Sequence, residues 1–159
     1  MVEKQIKNVE LSVQALSDFI ESVGEENTLH FLRSFKCGKN TSIESYLHSK
    51  AVLHEKAGAS KTFIVMDLVT SNILGYFTLT TKIFVFSTAS GKNRERLTGD
   101  KKASIFNALL IAKIGRDDAF KGIVEGKDIL GIALDYCSQV KQICAIKIQA
   151  CIFYFCIQI

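Results

Sequence analysis

The sequence predicts one α/β (α+β) domain, and three observations carry that expectation. The chain has 159 residues of which 48% are apolar, enough for one sizeable core and too few for two ordinary domains with a linker. Segments with strand-like alternation are interleaved with segments whose apolar residues recur at three- and four-residue steps. Near the end of the interpretable part, a buried-type strand runs through a glycine-bearing turn into a helix.

The elements follow in order. Ile6 to Val13 alternates with period two and suits a first strand. From Gln14 to about Phe35 the apolar positions Leu16, Phe19, Ile20 and Val23, then Leu29, Leu32 and Phe35, predict helix with a break near Gly24. Thr41 followed by Glu44 is a capping-box pattern, so a second helix is expected from there to about Gly58. Lys61 to Val69 and Ile73 to Phe86 read as two long strands joined by the turn at 70–72, an antiparallel hairpin. Ser87 to Ser104 is polar and carries Lys92, Arg94, Arg96, Lys101 and Lys102; it is either a substrate-facing basic excursion or a solvated loop or short surface helix. Asn107 to Gly115 is the next strand, Lys127 to Val140 the next helix, and a last strand is expected from about Gln142 to the end.

Composition narrows the function classes. The charge of +4 and pI near 8.8 are compatible with a phosphorylated cofactor or RNA, and equally with a solvated basic face. The five cysteines form no Cys-x-x-Cys pair and the three histidines lie at no metal-ligand spacing to them, so no metal site and no disulfide framework are expected. The charged start without an apolar core segment predicts a cytoplasmic protein. The apolar run from Ala150 to Ile159 is half the length of a spanning helix, so a strand is expected there and no membrane partner.

The chemistry is expected in the turn between Gly115 and Gly126. A turn feeding a helix N-terminus presents unpaired N–H groups and the positive end of the helix dipole, which suit a phosphate or pyrophosphate. Gly122 and Gly126 would let the backbone approach such an anion, with Lys121 and Lys127 on either side. An ordinary strand-to-helix connection without a ligand remains open on these residues alone. There is no Gly-x-Gly-x-x-Gly and no P-loop signature. Asp117 and Asp118 read as solvated turn residues, Glu125 as a group that must turn outward, and Cys137 as core.

The run Leu109 to Ala133, LLIAKIGRDDAFKGIVEGKDILGIA, resembles the segment of Gcn5-related N-acetyltransferases in which a strand passes through an aromatic-Gln-Gly-x-Gly-x-Gly loop into a helix. Phe120 takes the aromatic place, Lys121 the Gln or Arg place, and Gly122 and Gly126 the first and last glycines, while Val124 departs from the middle one. The hairpin phrase Asn72 to Leu79 and the two N-terminal helices extend the likeness to roughly residues 6–143. The resemblance implies a mixed, mostly antiparallel sheet flanked by helices and an acetyl-CoA co-substrate. It places acetyl-CoA against the backbone of Ile114, Gly115 and Arg116 and the loop Lys121, Gly122, Ile123, Val124, Glu125, Gly126 and Lys127. The implied activity is acetyl transfer to a primary amine of a small molecule, a protein or an aminoacyl-tRNA, with a non-catalytic acyl-CoA-binding or partner-dependent remnant as the alternative. Beyond Cys144 the likeness fails, so the single domain is expected to lack the family's C-terminal helix and final hairpin. Tyr154 then reads as a strand residue rather than a general acid, and self-association through the apolar last strand is expected.

Overall fold

The computed structural model describes residues 5–6, 9–144 and 146. Its elements are β1 (Gln5–Ile6), β2 (Val9–Ala15), α1 (Leu16–Val23), α2 (Glu25–Leu32), α3 (Thr41–Ser49), α4 (Ala51–Lys56), β3 (Lys61–Asp67), β4 (Ile73–Val85), α5 (Gly91–Thr98), β5 (Ile105–Arg116) and α6 (Gly126–Ile143). The strands lie in chain order, β1-β2-β3-β4-β5, and every pairing between them is antiparallel. A parallel member, which a mixed sheet requires, is not among the described residues.

Period-two alternation supplies two apolar faces, and a helical layer covers each. On one face Val65, Phe77, Leu79, Leu109 and Ile111 meet Ile129, Ile132, Ala133 and Cys137 of α6. On the other, Ile64, Met66 and Tyr76 meet Leu16 of α1, Leu32 of α2, Ile43 and Leu47 of α3 and Val52 of α4. Each large side chain so buried contributes about 1.5–3 kcal/mol. Tyr76 is wholly buried, and its hydroxyl donates to the Ile43 carbonyl at 2.7 Å, so its one polar atom is satisfied. Burial pushes its phenol far above the ordinary range, which keeps it a neutral donor.

Several expected boundaries move for local reasons. The break near Gly24 holds, with φ of 82° separating α1 from α2. The second expected helix is divided at Lys50, whose φ of −122° is not helical. Thr41 does not cap it: the N-cap is Asn40, without a side-chain bond, and Glu44 reaches instead to the Cys37 N–H at 2.8 Å. The third strand stops at Asp67 rather than Val69, because the Asp67 carboxylate accepts from Val69 N–H and Thr70 Oγ1 and turns the chain. The basic segment is a short exposed helix, α5, capped by Ser90 and ended by Gly99 at φ 80°, standing at the tip of the long β4–β5 hairpin. Gln142 and Ile143 belong to α6, so the last strand does not start at Gln142. The rest of that expected strand, with Tyr154, lies outside the described residues, as does the self-association assigned to it.

One close approach sets where α6 sits. A Cβ built on Gly75 would stand 2.6 Å from the Gly115 carbonyl oxygen, closer than backbone can accommodate unmoved, and 3.0 Å from Ile129 Cδ1, which would have to give way. Gly75→Ala is therefore expected to destabilise the fold by about 1–3 kcal/mol, seen as a lower urea midpoint at unchanged slope. An unaltered midpoint would contradict this packing.

Candidate functional site

The candidate site forms where β5 ends and α6 begins. Asp117 N–H donates to the Leu74 carbonyl at 2.9 Å, and bonded pairs in an antiparallel ladder recur at every second residue. Gly115 with Tyr76 is thus the preceding bonded pair, and Ile114 and Arg116 turn their N–H and C=O groups away from β4. β5 ends the strand order, so among the described residues no strand pairs with that edge. Gly115, predicted as a site residue, is required by packing: a Cβ there would lie 2.5 Å from Ile43 Cγ2.

After β5 the chain makes a short 3-10 turn at Asp118–Phe120 and a tight loop. Ile123 and Val124 N–H both point to the Phe120 carbonyl, at 3.1 and 3.0 Å, and Gly122 takes φ of 84°, a conformation that favours glycine. Val124 is wholly buried in the α6 core, so the departure at this position faces inward and leaves the outer surface of the loop clear. Arg116 donates to the Val124 carbonyl at 3.4 Å, tying strand to loop. Nothing lies within 4 Å of a Cβ built on Gly122 or Gly126, so both outer faces are open.

At the head of α6 a capping box forms between Glu125 and Asp128, whose carboxylate accepts from Glu125 N–H at 2.8 Å. The N–H groups of Gly126 and Lys127 in the first turn have no carbonyl within the helix to bond. Glu125 is exposed and turned to Lys127, 2.6 Å away, and that hydrogen bond raises the Lys127 ammonium above its usual range. Lys121 is exposed, with no carboxylate within ion-pair distance among the described residues.

The structure corrects the expectation for Asp117. It is buried, not solvated: one carboxylate oxygen accepts from Lys36 N–H at 2.8 Å and the other from Ala119 N–H at 2.8 Å. Asp118, exposed as expected, accepts from Gly38 N–H at 2.7 Å. With Glu44 on Cys37, three consecutive amides of the α2–α3 connection each meet a carboxylate. An acidic pair directly after a strand, with glycine and polar residues distant in sequence, was the only available sign.

A second concavity of about 380 Å³ lies on the opposite face, lined by Ser42, Ser45, Tyr46, Lys50, His54 and Lys113. Tyr46 hydroxyl lies 3.0 Å from Ser60 Oγ and 3.3 Å from His54 Nδ1. Among the described residues no three His, Cys, Asp or Glu side chains converge to hold a metal, and no helix is long and apolar enough to cross a membrane.

Asp117→Ala is expected to cost about 1–3 kcal/mol in urea unfolding and to speed hydrogen exchange at Lys36 and Ala119. The Cys37 N–H, then Lys36 and His48, hold the Glu44 carboxyl below its ordinary value of 4.5. Its stabilisation is present above the unfolded value and is lost as pH falls through the lower folded one. Glu44→Gln should therefore flatten the acid limb of a stability–pH curve, and an identical limb would oppose the assignment.

No known family model matches the sequence. Solved structures do. The toxin AtaT complexed with acetyl-methionyl-tRNAfMet superposes with a TM-score of 0.61 at 15% identity, over 84% of this chain and 72% of that one. An AtaT mutant bound to the C-terminus of the antitoxin AtaR and to acetyl-CoA gives 0.61 and 15%, over 86% and 71%. A tyrosine-to-phenylalanine mutant of KacT gives 0.63 at 12%, over 86% and 74%. The antiparallel sheet between its helical layers, with the strand–loop–helix unit at its edge, thus gives the chain the Gcn5-related N-acetyltransferase fold.

Proposed function

We infer that the protein is an acetyl-CoA-dependent N-acetyltransferase. The observation that carries this reading is that the β5 edge turned away from β4 at Ile114 and Arg116 leads directly into the N-terminus of α6 at Gly126 and Lys127. A strand edge with free N–H and C=O groups suits the amide-bearing pantetheine arm. A helix N-terminus beside two open glycines suits a pyrophosphate. Lys121 adds a cation there, and the buried Val124 leaves the approach clear.

Acetyl-CoA would supply an activated thioester carbonyl, which an acceptor amine attacks through nitrogen as the carbon–sulfur bond breaks. The chain's part is to hold the carbonyl at the end of β5 and to exclude competing orientations, which is where most of the rate in such transfers originates. The proton leaves the amine for a base or water, and the departing thiolate takes one up. Aminoacyl-tRNA is the acceptor class that the similar AtaT complex favours, and an antitoxin-like partner is the protein class that the AtaT–AtaR structure favours.

A second reading, acyl-CoA binding without turnover, draws on the loop's own bonding. The N–H groups of Ile123 and Val124 are taken by Phe120, and that of Glu125 by Asp128, leaving fewer donors for an anion.

Calorimetric titration with acetyl-CoA tests both, alongside a Lys121→Glu, Gly126→Glu variant. Glutamate at Gly126 enters open space at a helix N-terminus, where it is compatible with folding, so lost binding reports on charge. Wild-type binding weakened at least about tenfold in the variant supports the reading, since each lost charge-assisted bond is worth about 1.5–3 kcal/mol. A folded wild type that binds no acetyl-CoA would sink it. Binding without release of free thiol across an amine screen that includes aminoacyl-tRNA would select the second reading.

A further inference from the structure

The concavity between α3, α4 and β5 lies on the sheet face opposite α6, and its lining has a consistent chemistry. Lys50 and Lys113 each bring an ammonium group, and among the described residues no carboxylate lies within ion-pair distance of either. Ser45 brings a hydroxyl and His54 an imidazole, while the Ser42 hydroxyl donates to Asn40 Oδ1 at 2.7 Å. No acidic side chain lines it. Lys113 Nζ stands over the Tyr46 ring at 5.7 Å, which holds this cation at the pocket wall. The Tyr46 hydroxyl is fixed in turn by Ser60 and His54, at 3.0 and 3.3 Å.

The glutamates nearest in sequence are engaged elsewhere. Glu55 is buried and takes Lys61 Nζ at 2.6 Å and Thr62 N–H at 2.9 Å. Glu44 takes Cys37 N–H. The pocket therefore keeps its positive charge uncompensated. A concavity of about 380 Å³, open to solvent, is large enough to admit a small ligand group.

We propose that this pocket binds a phosphate group carried by the acceptor. Two point-like ammonium groups and serine hydroxyls line the same cavity, and a phosphate offers more acceptor oxygens to such donors than a planar carboxylate does. The location assigns the group to the acceptor: Lys113 precedes Ile114 on β5, so it stands about 3.3 Å along the strand from the backbone assigned to the pantetheine arm. It projects to the other face of the sheet, against Tyr46. The acceptor assignment rests on the acetyltransferase reading; the anion pocket itself does not.

The test is an amide-resolved magnetic-resonance titration of the whole protein with sodium phosphate, against sodium chloride of equal ionic strength. Saturable shifts at Ser45, Tyr46, Lys50, His54 and Lys113 are expected. A Lys50→Gln, Lys113→Gln variant with unchanged Tm should weaken them at least about tenfold. Shifts confined to Gly122–Lys127, or pocket shifts that survive the double substitution, would overturn the proposal. Acetyl-CoA is titrated into the same samples, so failure at the α6 loop and failure at this pocket are read separately. Displacement of the phosphate by ribose 5-phosphate assigns its source to a small phosphomonoester, and displacement by a short oligoribonucleotide to a nucleic-acid backbone; both support the pocket.

Discussion

The three carboxylates that grip the α2–α3 connection position much else in the molecule. Lys36, Cys37 and Gly38 present consecutive N–H groups, and Asp117, Glu44 and Asp118 accept them at 2.8, 2.8 and 2.7 Å. A connection between helices leaves its amides without regular partners, and burying even part of it requires acceptors. Two of these acceptors come from the segment just after β5, about eighty residues away in sequence. The loop that leads to α6 is thereby fastened to the helical layer on the far side of the sheet. The backbone joins in, since Asp118 N–H donates to the Lys36 carbonyl at 2.9 Å.

This fastening explains why the loop can be tight without being long. Asp117 ends β5 with a bond to Leu74 and caps the short turn through Ala119, so the chain leaves the sheet in one defined direction. Val124 then plugs the core beside Ile129, and Arg116 reaches the Val124 carbonyl from the strand side. The outer glycines are left with open space above them while the inner residues are over-determined. A surface prepared in this way loses little entropy on meeting an anion, which is the main advantage of preorganisation. Gly75 and Gly115 contribute at the level of layers. They let the β4 and β5 backbones and the side chains of Ile129 and Ile43 approach more closely than any Cβ would permit.

Most of the fold was legible in sequence because it depends on periodicity. The Gly24 break, the β3–β4 hairpin, the apolar stripe of Ile129, Ile132, Ala133 and Cys137, and the strand–turn–helix order are all local patterns. What escaped is non-local or competitive. Glu44 has the spacing of a capping partner, yet a nearer geometric demand, the Cys37 amide, wins it. Asp117 looks like a turn residue because adjacent aspartates in turns are commonly solvated, and nothing in the sequence places Lys36 beside it. The division of α3 from α4 at Lys50 has no glycine or proline to announce it. The turn before α6 stands out in the sequence through its glycines, whereas the polar pocket around Tyr46 does not, since its residues come from α3, α4, β5 and the junction at Lys50 and share no motif.

The head of α6 sets the terms on which an anion could be held. Its macrodipole and first-turn amides attract negative charge, while Glu125 and Asp128 already supply some. The local charges divide cleanly: Glu125 is taken by Lys127 at 2.6 Å, and Asp128 is spent on the Glu125 amide. Lys121 stays as an exposed cation on the loop. An arriving pyrophosphate would therefore compete with Glu125 for Lys127, an exchange between solvent-exposed groups whose attraction water and salt largely screen. The internal pairs then act as placeholders that keep the loop ordered before a ligand arrives. The clasp at Lys36 to Gly38, made by different carboxylates and anchored by the buried Asp117, stays intact through that exchange.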